Sequence, residues 1–318
     1  MNEQGEQQYL GRANTGVVSI NLPRIALEAK GDKELFFKIF KERLELARDI
    51  GMWRYNRLIT LTAKEANFSY IGGVFGMTLE PDETIEKVFA NGRGSISIGY
   101  LGCYEASLLM TGDDPVFNED SFTFQKELMT FMNKEVDKYK NLYHQGFGIY
   151  SSPSESLTDR FCKLDAERYG LVEGVTDKGF YVNSFHVNTQ AIVDPFSKMD
   201  FESQFQKLAT GGHVSFVETG NLSDNLEAYE EIVKYAHFKK MMYIGVNSPW
   251  DFCKSCGWTG ELKLQEDLEY VYTCPECGEV DENKIVKTVR LCGYLSTANK
   301  RPPVLGRIKE IRSRTKHM

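Results

Sequence analysis

Arg290-Leu291-Cys292-Gly293-Tyr294-Leu295 stands about a dozen residues after a cluster of four cysteines and 25 residues before the last residue of the 318-residue chain. Cys253 and Cys256 form one CxxC pair, Cys274 and Cys277 form another, and 17 residues separate the pairs. Each pair lets two thiolates from one tight turn meet a single ion, and the glycines that follow, Gly257 and Gly278, suit the turn such a knuckle needs. The spacing reads as a tetrahedral zinc ribbon. Four thiolates would leave no open coordination position, which makes the expected zinc structural and not catalytic. A pair of redox dithiols is the rival reading, but such motifs more often open a helix in a thioredoxin-like setting. Residues 247–282, rich in Gly, Trp and polar side chains, have too few apolar groups for a core without metal.

Upstream of the ribbon the pattern alternates. Residues 15–22 are a β-branched apolar run ended by Pro23, and residues 33–62 carry apolar positions at a helical period. Further strands are expected at 69–76, 95–101, 147–150 and 241–246, with a strand-like stretch at 180–187 and a further segment at 213–219. Helices are expected at 82–91, 118–145, 154–168, 198–208 and 223–238. About five strands alternating with helices imply an α/β fold with parallel pairing. The domain expectation is 1–246 for the α/β part, 247–282 for the ribbon, and 283–318 for a glycine-bearing loop with a basic tail.

Several segments together resemble the class III anaerobic ribonucleoside triphosphate reductases, a glycyl radical enzyme family. Besides Arg290–Leu295 they are Gly11-Arg12-Ala13-Asn14 running into Thr15–Arg24, Ser95–Gly102 with Glu105, Tyr150–Leu157, Tyr181–Val187, and Ile244–Asp251 leading into the first cysteine pair. The resemblance implies the C-terminal half of a ten-stranded barrel, with Gly293 as the radical site. Glycine suits that role because loss of an α-hydrogen leaves a planar centre shared with the adjoining amides, which a Cβ would crowd. It also implies that this α-carbon is kept out of bulk solvent and supported by the four-sulfur ribbon.

Other roles follow from the same resemblance. Asn21 corresponds to an active-site asparagine; a satisfied core amide is the alternative. Ser154, Glu155 and Ser156, at a strand end and helix start, are candidate contacts to the nucleotide, free helix amides being attractive to anions; an ordinary N-cap is the alternative. The implied partners are a ribonucleoside triphosphate, an iron–sulfur, radical S-adenosylmethionine activase, formate as reductant, an N-terminal half bearing the thiyl cysteine, and a homodimer of the complete enzyme. Within this chain the first cysteine is Cys103, so the radical cysteine is expected outside it. Rival functions are a zinc-ribbon protein that binds nucleic acid or protein through its basic tail, and an inactive fragment of a split reductase gene.

Bulk properties agree with a globular chain of the cytoplasm. The net charge of −7 argues against a general nucleic-acid coat, since phosphate binding draws on clustered Lys and Arg. No apolar run approaches the roughly 18 residues of a spanning helix. The start, Met-Asn-Glu-Gln-Gly-Glu-Gln-Gln, carries no signal-peptide pattern. From Lys300 the tail holds seven basic residues against the single acid Glu310 and reads as a solvated segment. His186 and His213 read as structural, and Cys103 and Cys162 as small buried apolar groups.

Overall fold

A computed structural model describes residues 10–151, 154–264, 271–297 and 303–318. The chain divides into two compact units, Met1–Ser152 with Phe205–His213, and Pro153–Gln204 with Val214–Met318. The sequence boundaries at 246 and 282 thus follow chemical character, whereas compactness divides the chain elsewhere.

The first unit is built on a parallel sheet. Strand β1 (Ala13–Asn21) runs into helix α1 (Leu22–Ala29), then α2 (Lys33–Leu58) and two single turns, α3 (Asn67–Tyr70) and α4 (Glu86–Phe89). Strand β2 (Gly94–Leu101), helices α5 (Cys103–Thr111) and α6 (Glu119–Tyr143), strand β3 (Gly146–Ser151) and the short β4 (Gly212–His213) complete it. The order is β1-β2-β3-β4, every neighbour parallel. Ile96, Ile98 and Ile149 are buried in the sheet, and Phe36, Phe40 and Leu44 of α2 with Phe124, Leu128 and Met132 of α6 are buried in the helical layer. The Phe36 and Phe124 rings meet edge to face with centroids 5.2 Å apart. Each such side chain contributes roughly 1.5–3 kcal/mol by burial, which is why β-branched runs in the sheet and helical-period aromatics outside it specify this layering.

Gly102 links β2 to α5 at φ 77°, and a Cβ there would lie 2.3 Å from Pro23 Cγ in α1. Only glycine meets both demands, the left-handed turn and the close approach.

The second unit holds helices α7 (Leu157–Tyr169) and α8 (Pro195–Gln206), whose last two residues count with the first unit. Strand β5 (Ser215–Glu218), helix α9 (Leu226–Phe238) and strand β6 (Ile244–Asn247) follow. β5 and β6 pair in parallel, and Met199, Val217, Leu222, Ile232 and Ala236 form a core beside them. The ribbon contains β7 (Asp251–Cys253), β8 (Thr259–Gly260), β9 (Lys263–Leu264), β10 (Tyr272–Thr273) and β11 (Ile285–Val286). A hairpin of β12 (Thr288–Arg290) and β13 (Leu295–Thr297) and helix α10 (Leu305–Ser313) complete the unit. No helix among the described residues is long and apolar enough to cross a membrane.

Several expectations are corrected. Residues 69–76 are not a strand: the amides of Ile71 and Val74 bond back to Asn67 and Ser69, so the chain turns on itself and leaves Phe68 and Val74 exposed. Only Glu86–Phe89 of the expected helix 82–91 forms. Residues 180–187 are buried but irregular; Ser184 takes a left-handed φ of 46°, and the amides of Tyr181 and Val187 bond to Thr158 O and to the Glu202 carboxylate instead of to a strand. The 213–219 segment is two strands in different sheets, β4 and β5. Pro23 ends β1 as expected but also opens α1, near whose start its missing N–H costs nothing.

Candidate functional site

The C-terminal ends of β1, β2 and β3 carry the polar groups of the first unit. Asn21 is half-buried at the end of β1, where its Oδ1 accepts from Arg24 N at 3.1 Å and caps α1. Beside it in the sheet, the Tyr100 and Ser151 hydroxyls meet at 2.5 Å with both residues buried. In open parallel sheets this strand edge is where ligands bind. Asn21 lies in the first unit and the other candidate residues in the second.

The four cysteine sulfurs all lie within 4.8 Å of one another. Sγ of Cys253 is 3.7 Å from that of Cys277, and Cys256 is 3.7 Å from Cys274. A ZnS4 tetrahedron with Zn–S of about 2.3 Å has edges of about 3.8 Å, so these two gaps have the length zinc demands and the four donors are close enough to share one ion. The two knuckles repeat each other. The Cys253 amide donates to Trp258 O and the Cys274 amide to Glu279 O, while Gly257 and Gly278, at φ 77° and 71°, donate back to Cys253 and Cys274.

Asp251 joins this ribbon to the Gly293 hairpin. Its fully buried carboxylate accepts from Leu262 N at 2.9 Å, from Lys287 Nζ at 2.8 Å and from Thr288 N at 3.0 Å. β11 pairs with β7 so that Ile285 faces Cys253, and β12 starts three residues later. Arg290 then pairs with Leu295, and the Leu291 amide donates to Tyr294 O at 3.0 Å, closing a turn over Leu291–Tyr294. Leu291 and Cys292 are buried under the turn, and burial pushes the Cys292 thiol up from its ordinary pKa. Gly293 itself is exposed at the tip. Asp251 thus ties the hairpin's first strand to the ribbon, whereas the expected shielding of the α-carbon is not supplied by the described residues, because the turn projects its third residue away from the packed face.

The basic tail, expected to be solvated, is a structural member. Arg307 is fully buried on α10, donates through Nη1 to Glu310 at 2.8 Å and through Nη2 to Ser154 O, with Thr158 Oγ1 at 3.3 Å. The Gly306 amide donates to Asp159 Oδ1 at 2.7 Å, which fastens α10 to the first turn of α7. Arg314 grips Glu310 through two bonds of 3.0 and 2.9 Å, a bidentate pairing. Burial alone would raise the Glu310 carboxyl, but Arg314 and Arg307 draw it down to about 2. Lys300 and Arg301 lie outside the described residues.

This network brings the Ser154–Ser156 segment next to the hairpin, with Glu155 acting electrostatically on Cys292. The Ser154 amide donates to Asn183 Oδ1 at 2.8 Å, and Ser156 is the N-cap of α7 without a capping side-chain bond. The neighbouring Ser152 and Pro153 lie outside the described residues. His186 is structural as expected, its two ring nitrogens 2.8 and 2.7 Å from the carbonyls of Asn183 and Val214. Asp251, Glu218, Arg290, Arg314 and Glu310 were given no role of their own from sequence. The 307/310/314 spacing of Arg, Glu and Arg on one helix face was the available signal.

Comparison with known proteins places this arrangement. A family model described as anaerobic ribonucleoside-triphosphate reductase matches residues 1–317. The anaerobic ribonucleoside-triphosphate reductase of Escherichia coli (strain K12) is 42% identical over 318 residues, which are 100% of this chain and 44% of the relative. That of Enterobacteria phage T4 is 40% identical over 317 residues, 98% of this chain and 50% of the relative. A solved anaerobic ribonucleotide reductase superposes with a TM-score of 0.71 at 22% identity, covering 99% of this chain and 46% of the other. The Thermotoga maritima enzyme with glycerol in its active site gives 0.66 at 22% identity, covering 94% and 45%; at this identity the likeness is one of fold. The chain belongs to the anaerobic ribonucleoside-triphosphate reductase family, and it spans about half the length of the curated relatives it matches.

Proposed function

We propose that this chain carries the glycyl radical of an anaerobic ribonucleoside triphosphate reductase at Gly293. The observation that bears most weight is the placement of Gly293 at the tip of a two-residue-anchored turn, tied through Asp251 to a four-sulfur site of zinc dimensions and through Arg307 to the start of α7. Cys253, Cys256, Cys274 and Cys277 would hold zinc, which supplies folding free energy to the ribbon and takes no part in the chemistry.

The reaction belongs to the complete enzyme, to which this chain contributes half of the ten-stranded barrel. An activase of the radical S-adenosylmethionine class takes the Gly293 α-hydrogen. The radical then removes the hydrogen of a cysteine thiol supplied by the remaining half. That thiyl takes the ribose 3′-hydrogen, the 2′-hydroxyl leaves as water, and formate provides two electrons as it becomes carbon dioxide. Asn21 serves in the active site, and Ser154, Glu155 and Ser156 contact the nucleotide near the first turn of α7, whose amides favour phosphate. The remaining half also covers the exposed tip, and the complete enzyme is a homodimer. A nucleic-acid role for the tail is disfavoured, because Arg307 and Arg314 are turned inward onto Glu310.

The test is anaerobic activation of the holoenzyme followed by spin resonance. A doublet in the parent that disappears in Gly293→Ala, with zinc content and fold unchanged, is the expected result. A doublet that persists in Gly293→Ala removes the assignment.

A further inference from the structure

Three successive carbonyls precede Gly293, and each accepts a hydrogen bond from a guanidinium. Arg314 Nη1 donates to Arg290 O at 2.7 Å and Nη2 to Leu291 O at 3.2 Å; Arg290 Nη1 donates to Cys292 O at 2.8 Å. Two guanidiniums this close repel, and Arg290 accordingly loses basicity through burial and through Arg314. Two carboxylates, one buried and one largely so, offset that repulsion. Glu310 takes both forks of Arg314, and Glu218, itself held by Asn247, takes Arg290. The Arg290 guanidinium also lies 4.2 Å over the Phe216 ring, which fixes its plane. The end of the chain closes the assembly: Thr315 N donates to Thr189 O at 2.8 Å, His317 N to Glu218 O at 2.8 Å, and Glu218 N to His317 Nδ1 at 2.9 Å.

We propose that Arg290 and Arg314 are positioning residues, Arg290 clamping the peptide plane that precedes Gly293 and Arg314 the two planes before it, and that together they govern how long a radical survives there. The proposal rests on the assignment of Gly293 as the radical site. The Gly293 nitrogen shares its lone pair with the Cys292 carbonyl, and an unpaired electron on the α-carbon is delocalised only while that amide stays in plane with it. Rotation of the 292–293 peptide would localise the electron and expose it to quenching. Short, nearly buried, charge-assisted bonds are the means of preventing that rotation in a turn whose third residue is exposed. One Lys could not replace Arg314, since an ammonium cannot span two carbonyls and a carboxylate in one plane.

The experiment compares Arg314→Gln, Arg314→Lys and Glu310→Gln with the surface control Lys234→Gln, in the activated holoenzyme. Amide hydrogen exchange over 291–295 is measured before activation, and the decay of the spin-resonance doublet afterwards. Loss of the Arg314 bonds to the Arg290 and Leu291 carbonyls should speed both by about tenfold or more in Arg314→Gln, and by less in Glu310→Gln, while zinc content is unchanged. Arg314→Lys should resemble Arg314→Gln. If Arg314→Gln does not fold, Glu310→Gln decides, because it keeps both guanidiniums and weakens the carboxylate that orients Arg314, along with that group's contact to Arg307. Exchange and decay within twofold of the parent in the folded variants would overturn the proposal. A doublet surviving Gly293→Ala would instead overturn the radical assignment, leaving the exchange result to stand or fall alone.

Discussion

Asp251→Asn should uncouple the ribbon from the glycine hairpin at a cost that can be worked from its contacts. The carboxylate is fully buried and serves three donors, Leu262 N, Lys287 Nζ and Thr288 N. Asparagine keeps the shape and one acceptor oxygen, so it can satisfy one side only. Its NH2 must then face either the Thr288 amide or the Leu262 amide together with the Lys287 ammonium. One stranded buried donor costs about 1–3 kcal/mol, and the loss of charge on the ammonium's partner adds about 1.5 kcal/mol. The expected destabilisation is thus about 3 kcal/mol, a large share of the 5–15 kcal/mol typical of a domain. Urea unfolding followed by tryptophan fluorescence would read it, because Trp258 packs on the buried cluster of Cys253 and Cys274. Release of zinc to a chromogenic chelator should quicken in parallel, and exchange at the Thr288 amide should rise. A variant within about 0.5 kcal/mol of the parent, the ordinary range of surface substitutions, with unchanged zinc release, would refute the idea that Asp251 couples the two elements.

Cys274→Ser should abolish stoichiometric zinc, measured by elemental analysis, and loosen residues 251–286 while leaving the first unit's unfolding transition in place. Acid should weaken the second unit in two stages. His317 is held down to about 4 by burial and by Lys198, so the unfolded state takes up its proton first and stability falls as pH drops from about 6.5 to about 4. Glu310, drawn down to about 2, contributes stability that is complete above about 4.5 and lost between there and about 2, worth about 3 kcal/mol. Urea midpoints measured against pH should show both stages, and Glu310→Gln should lose the lower one. Gly102→Ala must accept a left-handed φ and a Cβ 2.3 Å from Pro23; a loss of about 3 kcal/mol or more in thermal unfolding is expected.

The strongly periodic elements were legible in sequence: α2, α6, α9 and the strands β2 and β3 fall within a few residues of their expected bounds. So was the four-cysteine site, because a knuckle is a local motif whose spacing carries its geometry. What was not legible depended on distant partners. Residues 180–187 have a strand's composition, but the Glu202 carboxylate and Thr158 O claim their amides. The tail has the composition of a solvated segment, yet Glu310, Thr158 and three backbone carbonyls supply enough acceptors to bury two of its arginines. Asp251 resembles any loop acid until Leu262, Lys287 and Thr288 are seen around it. Asn21 was read as a polar group within a strand, and its place at a helix cap emerges only because α1 follows directly.

In each knuckle of the ribbon one cysteine is buried and the other exposed, and two sulfur pairs 3.7 Å apart, 253 with 277 and 256 with 274, join opposite knuckles. Closing either gap from 3.7 Å to a covalent bond of about 2.0 Å moves the sulfurs by less than about 2 Å. Air-oxidised, demetallated material should therefore carry crosslinks that bridge the knuckles and imitate the grip of the ion. Such a preparation would keep the outline and elution of the intact protein while being unable to take the metal back, and counting free thiols is what would tell the two apart.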